Sequence, residues 1–276
     1  MGNLRRPVMV VGHINHDRIW RLSERLVSGG RQRWTEREIS RGGGAFFTGN
    51  RLHELGHRVE YVSALASDAM GQETFAALQA AGFGTAHIAR GAPATVLTEI
   101  LLAPDGERTI LQAPGRQPVF DLSGPPPEAG AAYLNIHHIG AGLREALSHL
   151  DLVLLQLPLI ADAEIAADYA ITSAADFADL TPGEILARAR GVCGARLRAL
   201  ILTDGPGPVL LLPVQGDAQT IPINRPLVLK NSIGAGDSYA GGLCHALSLG
   251  MSPAQAVEHA GTLARDWLLQ NRCEDQ

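Results

Sequence analysis

Three shortages narrow the field before any motif is read. Lysine is almost absent, Lys230 aside, and the net charge is −5, so nothing general in the electrostatics favours nucleic acid as a partner. Cysteine is scarce. Cys193, Cys244 and Cys273 are odd in number, far apart and without a CxxC pair, which argues against a disulfide framework or a structural zinc site and fits reduced thiols in a cytoplasmic protein. Long apolar runs are missing as well. No stretch approaches the ~20 apolar residues of a membrane span, and the run after Arg6 is too short for a signal peptide and is broken by Gly12 and His13. What is present, 276 residues of which 46% are hydrophobic and 18% charged, suits one large α/β domain over residues 1–276, with no internal repeat.

The first apolar run, residues 7–14, reads as a buried strand that leads into Asn15, His16 and Asp17 at its carboxyl end, where open α/β sheets bind ligands. Asp17 is either a turn residue or a carboxylate that accepts hydrogen bonds from substrate hydroxyls. Residues 18–40 are charged, yet Ile19, Leu22, Leu26, Trp34 and Ile39 make them too apolar for a disordered linker, and a small, partly exposed sheet is expected. Gly42 and Gly43, in RGGGAFFTG, let backbone amides approach a small ligand. A dinucleotide fingerprint is rejected there, because it needs GxGxxG directly after a buried strand.

Residues 58–66 read as a second strand and residues 71–81 as a helix. Asp105 and Gly106 mark a hairpin between residues 95–102 and 108–112. His137 and His138 are strand neighbours that point to opposite faces, and no third metal ligand is identifiable. Residues 150–159 form the clearest central strand, followed by an alanine-rich helical segment, a helix from Thr181 and Pro182, strands at 199–203 and 209–213, and a short apolar run at 226–229. The last helix places Ala256, Val257, Ala260, Leu263, Ala264, Trp267 and Leu268 on its core face. The order predicts a predominantly parallel sheet covered by helices.

NSIGAGDSYAGG, residues 231–242, combines a glycine-rich turn, a carboxylate and a helix start. Gly234 and Gly236 permit unusual backbone conformations, and the helix's N-terminal amides favour an anion. Asp237 then either caps the helix or accepts the proton of an attacking hydroxyl beside a phosphate.

Taken in order, these motifs resemble the ribokinase-like sugar kinases, the phosphofructokinase B (PfkB) family: Asn15 and Asp17, Gly42 and Gly43, Leu55 and Gly56, Asp68 and Gly71, the DGER turn and GAGD. The resemblance implies a three-layer α/β fold with a mainly parallel sheet and a small β lid, here residues 18–40 and 95–112. It implies Asp237 as catalytic base and Gly234, Ala235 and Gly236 as an anion hole. Asp17, Gly42 and Gly43 become sugar contacts, and Thr203, Gly205, Gly207 and Asn231 nucleotide contacts. It further implies ATP and Mg²⁺, with a monovalent cation as an additional candidate, a sugar, polyol or nucleoside as substrate, no nucleic-acid or membrane partner, and a homodimer formed through the lid.

The chain departs from the family at Asn231, where Asp is common, and at Phe47, where Asn is expected. The family's PNxxE segment is matched to Pro182, Gly183, Glu184, Ile185 and Leu186, which leaves Glu184 as the metal candidate. These departures motivate a second reading, a ligand-binding or regulatory relative with weakened phosphotransfer. A nicotinamide dehydrogenase is a distant third reading, for want of a GxGxxG unit after the first strand.

Overall fold

The computed structural model of the chain describes residues 6–92, 94–111, 118–158, 164–223 and 233–272. Asn231, Gln112, Leu159 and the apolar run at 226–229 lie outside them. In chain order the first strands are β1 (Val8–Gly12), β2 (Asn15–Leu22), β3 (Trp34–Gly42), β4 (Val59–Ala66), β5 (Gly84–Ala92), β6 (Leu97–Leu102) and β7 (Arg108–Leu111). Then come β8 (Val119–Phe120), β9 (Ala131–Asn135), β10 (His138–Ile139), β11 (Leu152–Gln156), β12 (Tyr169–Ser173), β13 (Ala199–Thr203), β14 (Val209–Pro213) and β15 (Gln219–Ile221). The helices are α1 (Gly44–Glu54), α2 (Ala69–Ala80), α3 (Ala141–Ser148), α4 (Pro182–Cys193), α5 (Ala235–Ser248) and α6 (Pro253–Arg272).

Nine strands form one sheet in the order β15-β14-β13-β12-β11-β9-β1-β4-β5, with β11 at its centre. Pairing is parallel from β13 across to β5, while β14 pairs antiparallel with both β13 and β15 at one edge. Central strands such as VMVVG are buried along their whole length, as expected where both faces are covered by helices. Their side chains alternate between two cores. Val8, Val10, Tyr61, Tyr133 and Leu154 pack with residues of α1, α5 and α6, whereas Met9, Val11, Leu134, Val153 and Leu155 pack with α3 and α4. This is a three-layer arrangement.

A separate four-stranded sheet, β3-β2-β6-β7, is built from the segments expected to form a lid. It begins at Asn15, earlier than residue 18, so Asn15, His16 and Asp17 belong to its first strand. The DG turn is one of its hairpins: Gly106 takes φ 87° and its N–H donates to the carbonyl of Ala103 at 3.0 Å.

The alanine-rich stretch after β11 departs from expectation. Residues 164–168 are not helical, and β12 follows directly, so no strand is lost from the sheet between β11 and β13. Asp168 supplies the reason. Its buried carboxylate accepts from Val153 N at 2.8 Å and Arg196 Nε at 2.9 Å, while its own N–H donates to the Val153 carbonyl at 2.9 Å. These bonds tie the stretch to β11 in extended form and outweigh alanine's helix preference, which is at most ~1 kcal/mol per residue. Removing one partner of a buried ion pair strands the other charge. Asp168→Ala is therefore expected to lower unfolding stability by about 3 kcal/mol, read by urea denaturation; a loss below about 0.5 kcal/mol, the range of an ordinary surface substitution, would contradict this role.

Candidate active site

The chain leaves the main sheet at Gly12, whose register partner at the carboxyl edge is Asn135. It runs out through β2, returns through β3 and meets its own exit path at Gly42. There is no room for side chains at this crossing. A Cβ on Gly42 would collide with the Asp17 carboxylate, one on Gly43 with the His13 carbonyl, and one on Gly44 with the Asn135 amide. Gly43 also holds φ 92°, in the region that favours glycine. The point where a Gly44 Cβ would sit lies 3.1 Å from Asp237 Oδ1. Asp17, Asn135 and Asp237, from three separate elements, are thereby brought against one glycine run.

Asp237 belongs to the first turn of α5. The helix is capped by Gly234 in the left-handed region, φ 83°, with no side-chain cap bond. Asp237 therefore does not serve as the N-cap. The first helical bond runs from Ser238 N to the Gly234 carbonyl at 2.8 Å, so the N–H groups of Ala235, Gly236 and Asp237 sit at the helix's positive end, where an anion is favoured. Thr48 Oγ1 donates to the Asp237 carbonyl at 3.2 Å and holds this turn against α1.

Burial pushes the Asp237 carboxyl up to about 7; the Arg108 guanidinium of the lid pulls it down and the Asp17 carboxylate pushes it further up. Asp17, 5% exposed, is raised to about 6 by burial. His13 and His137 are both lowered, chiefly by burial, and His13 meets Phe120 edge-on at 5.1 Å. His16 turns away, to Thr74 Oγ1 at 2.8 Å. Phe47 packs with Ile19, Ile100 and Leu102 of the lid and with Ile233, so an apolar contact joins the lid to the residue preceding Gly234.

The other sequence-predicted residues are placed less uniformly. Thr203 ends β13, where its Oγ1 donates to the Thr172 carbonyl at 3.2 Å. Gly205 takes φ 50° and Gly207 N donates to the Asp204 carbonyl at 2.7 Å, making the tight turn into β14. Glu184 has a different role from the one expected. It is the third residue of α4 in a capping box with Thr181, its Oε2 accepting from Thr181 N at 2.7 Å and Thr181 Oγ1 at 2.6 Å. These bonds lower its pKa and engage one of its two carboxylate oxygens.

Asp176 follows the end of β12, its Oδ2 3.4 Å from Thr172 Oγ1; Ser173 there pairs with Thr203. Among the described residues no group of three or more His, Cys, Asp or Glu is arranged to hold a metal. A cavity of about 130 Å³ lies between Val209, Ile221 and Ile223 on one side and Val257, Glu258 and Gly261 of α6 on the other. Sequence reasoning passed over it because the helical spacing of α6 reads as core, which Val257 also is.

Residues 149–269 match the family model described as pfkB family carbohydrate kinase. The chain has the ribokinase-like fold, and residues 149–269 are similar to the PfkB carbohydrate kinases. Among solved structures, a ribokinase from Giardia lamblia superposes with a TM-score of 0.75 at 18% identity, covering 94% of this chain and 92% of that one. An Arabidopsis thaliana ribokinase complexed with ribose and ATP gives 0.71 at 18% identity, covering 94% and 91%. A Methanocaldococcus jannaschii nucleoside kinase gives 0.68 at 16% identity, covering 99% and 95%. No curated protein sequence matches the chain. The match over residues 149–269 supports carbohydrate-kinase chemistry in general.

The raised carboxyls have a stability consequence. A carboxyl whose folded pKa lies above the unfolded value favours the fold most at low pH, and that contribution is lost as pH rises through the folded value. For Asp237 the window runs from 3.8 to about 7. Asp237→Asn is accordingly expected to raise Tm at pH 8 by several degrees and to change it little near pH 4. Thermal scans of both proteins at the two pH values check this, and an equal shift at both would contradict it.

Proposed function

We propose that the chain is an ATP-dependent kinase that phosphorylates a hydroxyl of a small sugar, polyol or nucleoside, with Asp237 as general base and the backbone at Gly234, Ala235 and Gly236 as the anion hole. The single observation that carries this reading is the position of Asp237: in the first turn of α5, beside the amides of the helix start, with its carboxyl facing Gly44 and Asn135. An acceptor hydroxyl between Asp237 and those amides meets a proton acceptor on one side and anion-stabilising dipoles on the other.

Asp17, Gly42 and Gly43 hold the acceptor in this reading. Asp17 accepts hydrogen bonds from acceptor hydroxyls, and the glycines leave room for a ring against the backbone. Arg108 favours ionised Asp237, the form able to take a proton. The adenine fits the cavity between β14, β15 and α6, and the phosphates lead from it past Thr203, Gly205 and Gly207 toward α5, with Asn231 a further contact by resemblance. Mg²⁺ would supply charge neutralisation on the phosphates, and the carboxylate of Asp176 fits it better than Glu184, which the cap occupies. The Arabidopsis ribokinase complexed with ribose and ATP and the archaeal nucleoside kinase support these ligand classes. A cytoplasmic location fits the reduced thiols. The lid exposes Trp34, Ile39, Ile110 and Leu111, an apolar surface suited to a homodimer.

The second reading is a regulatory relative, motivated by the engagement of Glu184 in a helix cap. Calorimetry separates the two, since acceptor binding without nucleotide binding or turnover supports regulation.

Purified protein with Mg-ATP and a panel of sugars, polyols and nucleosides is expected to phosphorylate at least one of them. Asp237→Ala is expected to lower kcat by about 10² to 10⁴, and kcat/KM should rise with pH through about 7, following Asp237. Activity untouched by that substitution would rule out the proposed base. A Leu at Gly261, which faces open space in the cavity wall, is expected to raise the Kd for ATP at least tenfold with Tm in the absence of nucleotide unchanged; unaltered ATP affinity would remove the nucleotide from this cavity.

A further inference from the structure

Asn135 is the half-buried last residue of β9, at the carboxyl edge of the sheet, where α/β folds take ligands. Its backbone is tightly held. Gly12 of β1 is its register partner, and a Cβ on Gly12 would lie 2.8 Å from the Asn135 carbonyl oxygen. Ser63 Oγ in turn donates to the Gly12 carbonyl at 2.6 Å. A side chain that leaves such a strand end is placed more precisely than one on a loop.

The amide of Asn135 lies over Gly44. A Cβ on Gly44 would collide with Asn135 Nδ2 and would lie 3.1 Å from Asp237 Oδ1. Nitrogen and oxygen are therefore no more than about 5 Å apart, a gap that one oxygen atom bridges with an ordinary hydrogen bond of about 3 Å to each. The two ends differ in kind: Nδ2 can only donate and the ionised Asp237 carboxylate can only accept. A hydroxyl is the group that satisfies both, taking a hydrogen bond on its oxygen and giving one from its hydrogen. Packing does not account for an amide here, because an apolar residue would cover Gly44 equally well.

We infer that Asn135 is a second catalytic residue, its amide N–H donating to the oxygen of the acceptor's reacting hydroxyl while that hydroxyl donates to Asp237. The inference rests on the reading of Asp237 as the base. In the transfer step the hydroxyl proton passes to Asp237 and the oxygen's electron pair forms the bond to the γ-phosphorus of ATP. The bond from that phosphorus to its bridging oxygen breaks, and the pair leaves with ADP. Negative charge moves from Asp237 onto the attacking oxygen on the way, so the hydrogen bond from Asn135 strengthens toward the transition state. Asn135 also selects the reacting position, since a hydroxyl that reaches only one of the two groups is held without being activated.

Asn135→Ala and Asn135→Asp test this with Mg-ATP and the acceptor that turns over fastest in the panel of sugars, polyols and nucleosides. Asn135→Ala removes the donor; kcat should fall about 10- to 100-fold, the worth of one hydrogen bond to a charged group, with KM for ATP unchanged. Asn135→Asp keeps the shape and replaces the donor by an anionic oxygen. Its kcat should fall at least as far, and the rise of kcat/KM with pH should move upward from about 7. A further carboxylate within about 5 Å adds to the opposition of Asp17 to ionised Asp237, against Arg108, which favours it. An unmoved pH profile in Asn135→Asp, or kcat within twofold of the unsubstituted chain in either folded variant, overturns the inference; if Asn135→Ala does not fold, Asn135→Asp decides alone. The two readings fail separately. Turnover that needs Asp237 and is indifferent to Asn135 removes this inference only, turnover that needs Asn135 and is indifferent to Asp237 removes the base and with it the shared hydroxyl, and phosphorylation of no acceptor removes both.

Discussion

The candidate site depends on the crossing of the chain at Gly42–Gly44. The path out through β2 and back through β3 forces the backbone against its own exit at His13, against the Asp17 side chain, and against Asn135 at the end of the neighbouring strand. Three consecutive residues without Cβ atoms make this approach feasible. A methyl group at any of them would displace a different group, so the run acts as a single steric constraint. Without it α1 would not start where Gly44 faces Asp237, and Asp17, Asn135 and Asp237 would not converge.

Convergence places two carboxylates where both are partly deprived of water. Asp17 and Asp237 are each held well above the ordinary carboxylate range, and each owes most of its shift to burial. The fold bears this cost in one place and is conventional elsewhere: Asp168 is buried with arginines and a backbone donor, and Glu184 is satisfied by its cap. Carboxylates with ordinary partners hold structure together here. The pair without such partners among the described residues converges on Gly42–Gly44.

The sequence made the parts of the site with local chemistry legible. The GAGD turn before an apolar helix pattern identified the start of α5, and the strand order followed from short apolar runs separated by turns. Three features escaped, two of them because they depend on distant contacts. The alanines after β11 are held extended by Asp168, whose partners Arg196 and Val153 are far away in sequence. Glu184 lies three residues after Thr181, a spacing that signals a capping box, but it was matched to a family segment and the cap was overlooked. The cavity at Gly261 was hidden because one helical face serves both core and cavity wall.

The lid sheet bears on the chemistry through charge as well as enclosure. Its strands carry both Asp17 and Arg108, which act on Asp237 with opposite sign, and its apolar residues Ile19, Ile100 and Leu102 meet Phe47 and Ile233 beside the start of α5. On the proposed reading, acceptor hydroxyls donating to Asp17 disperse its negative charge, while Arg108 is unaffected. The balance at Asp237 then shifts toward the ionised form once an acceptor is in place, linking occupancy of the acceptor position to the readiness of the base through electrostatics alone.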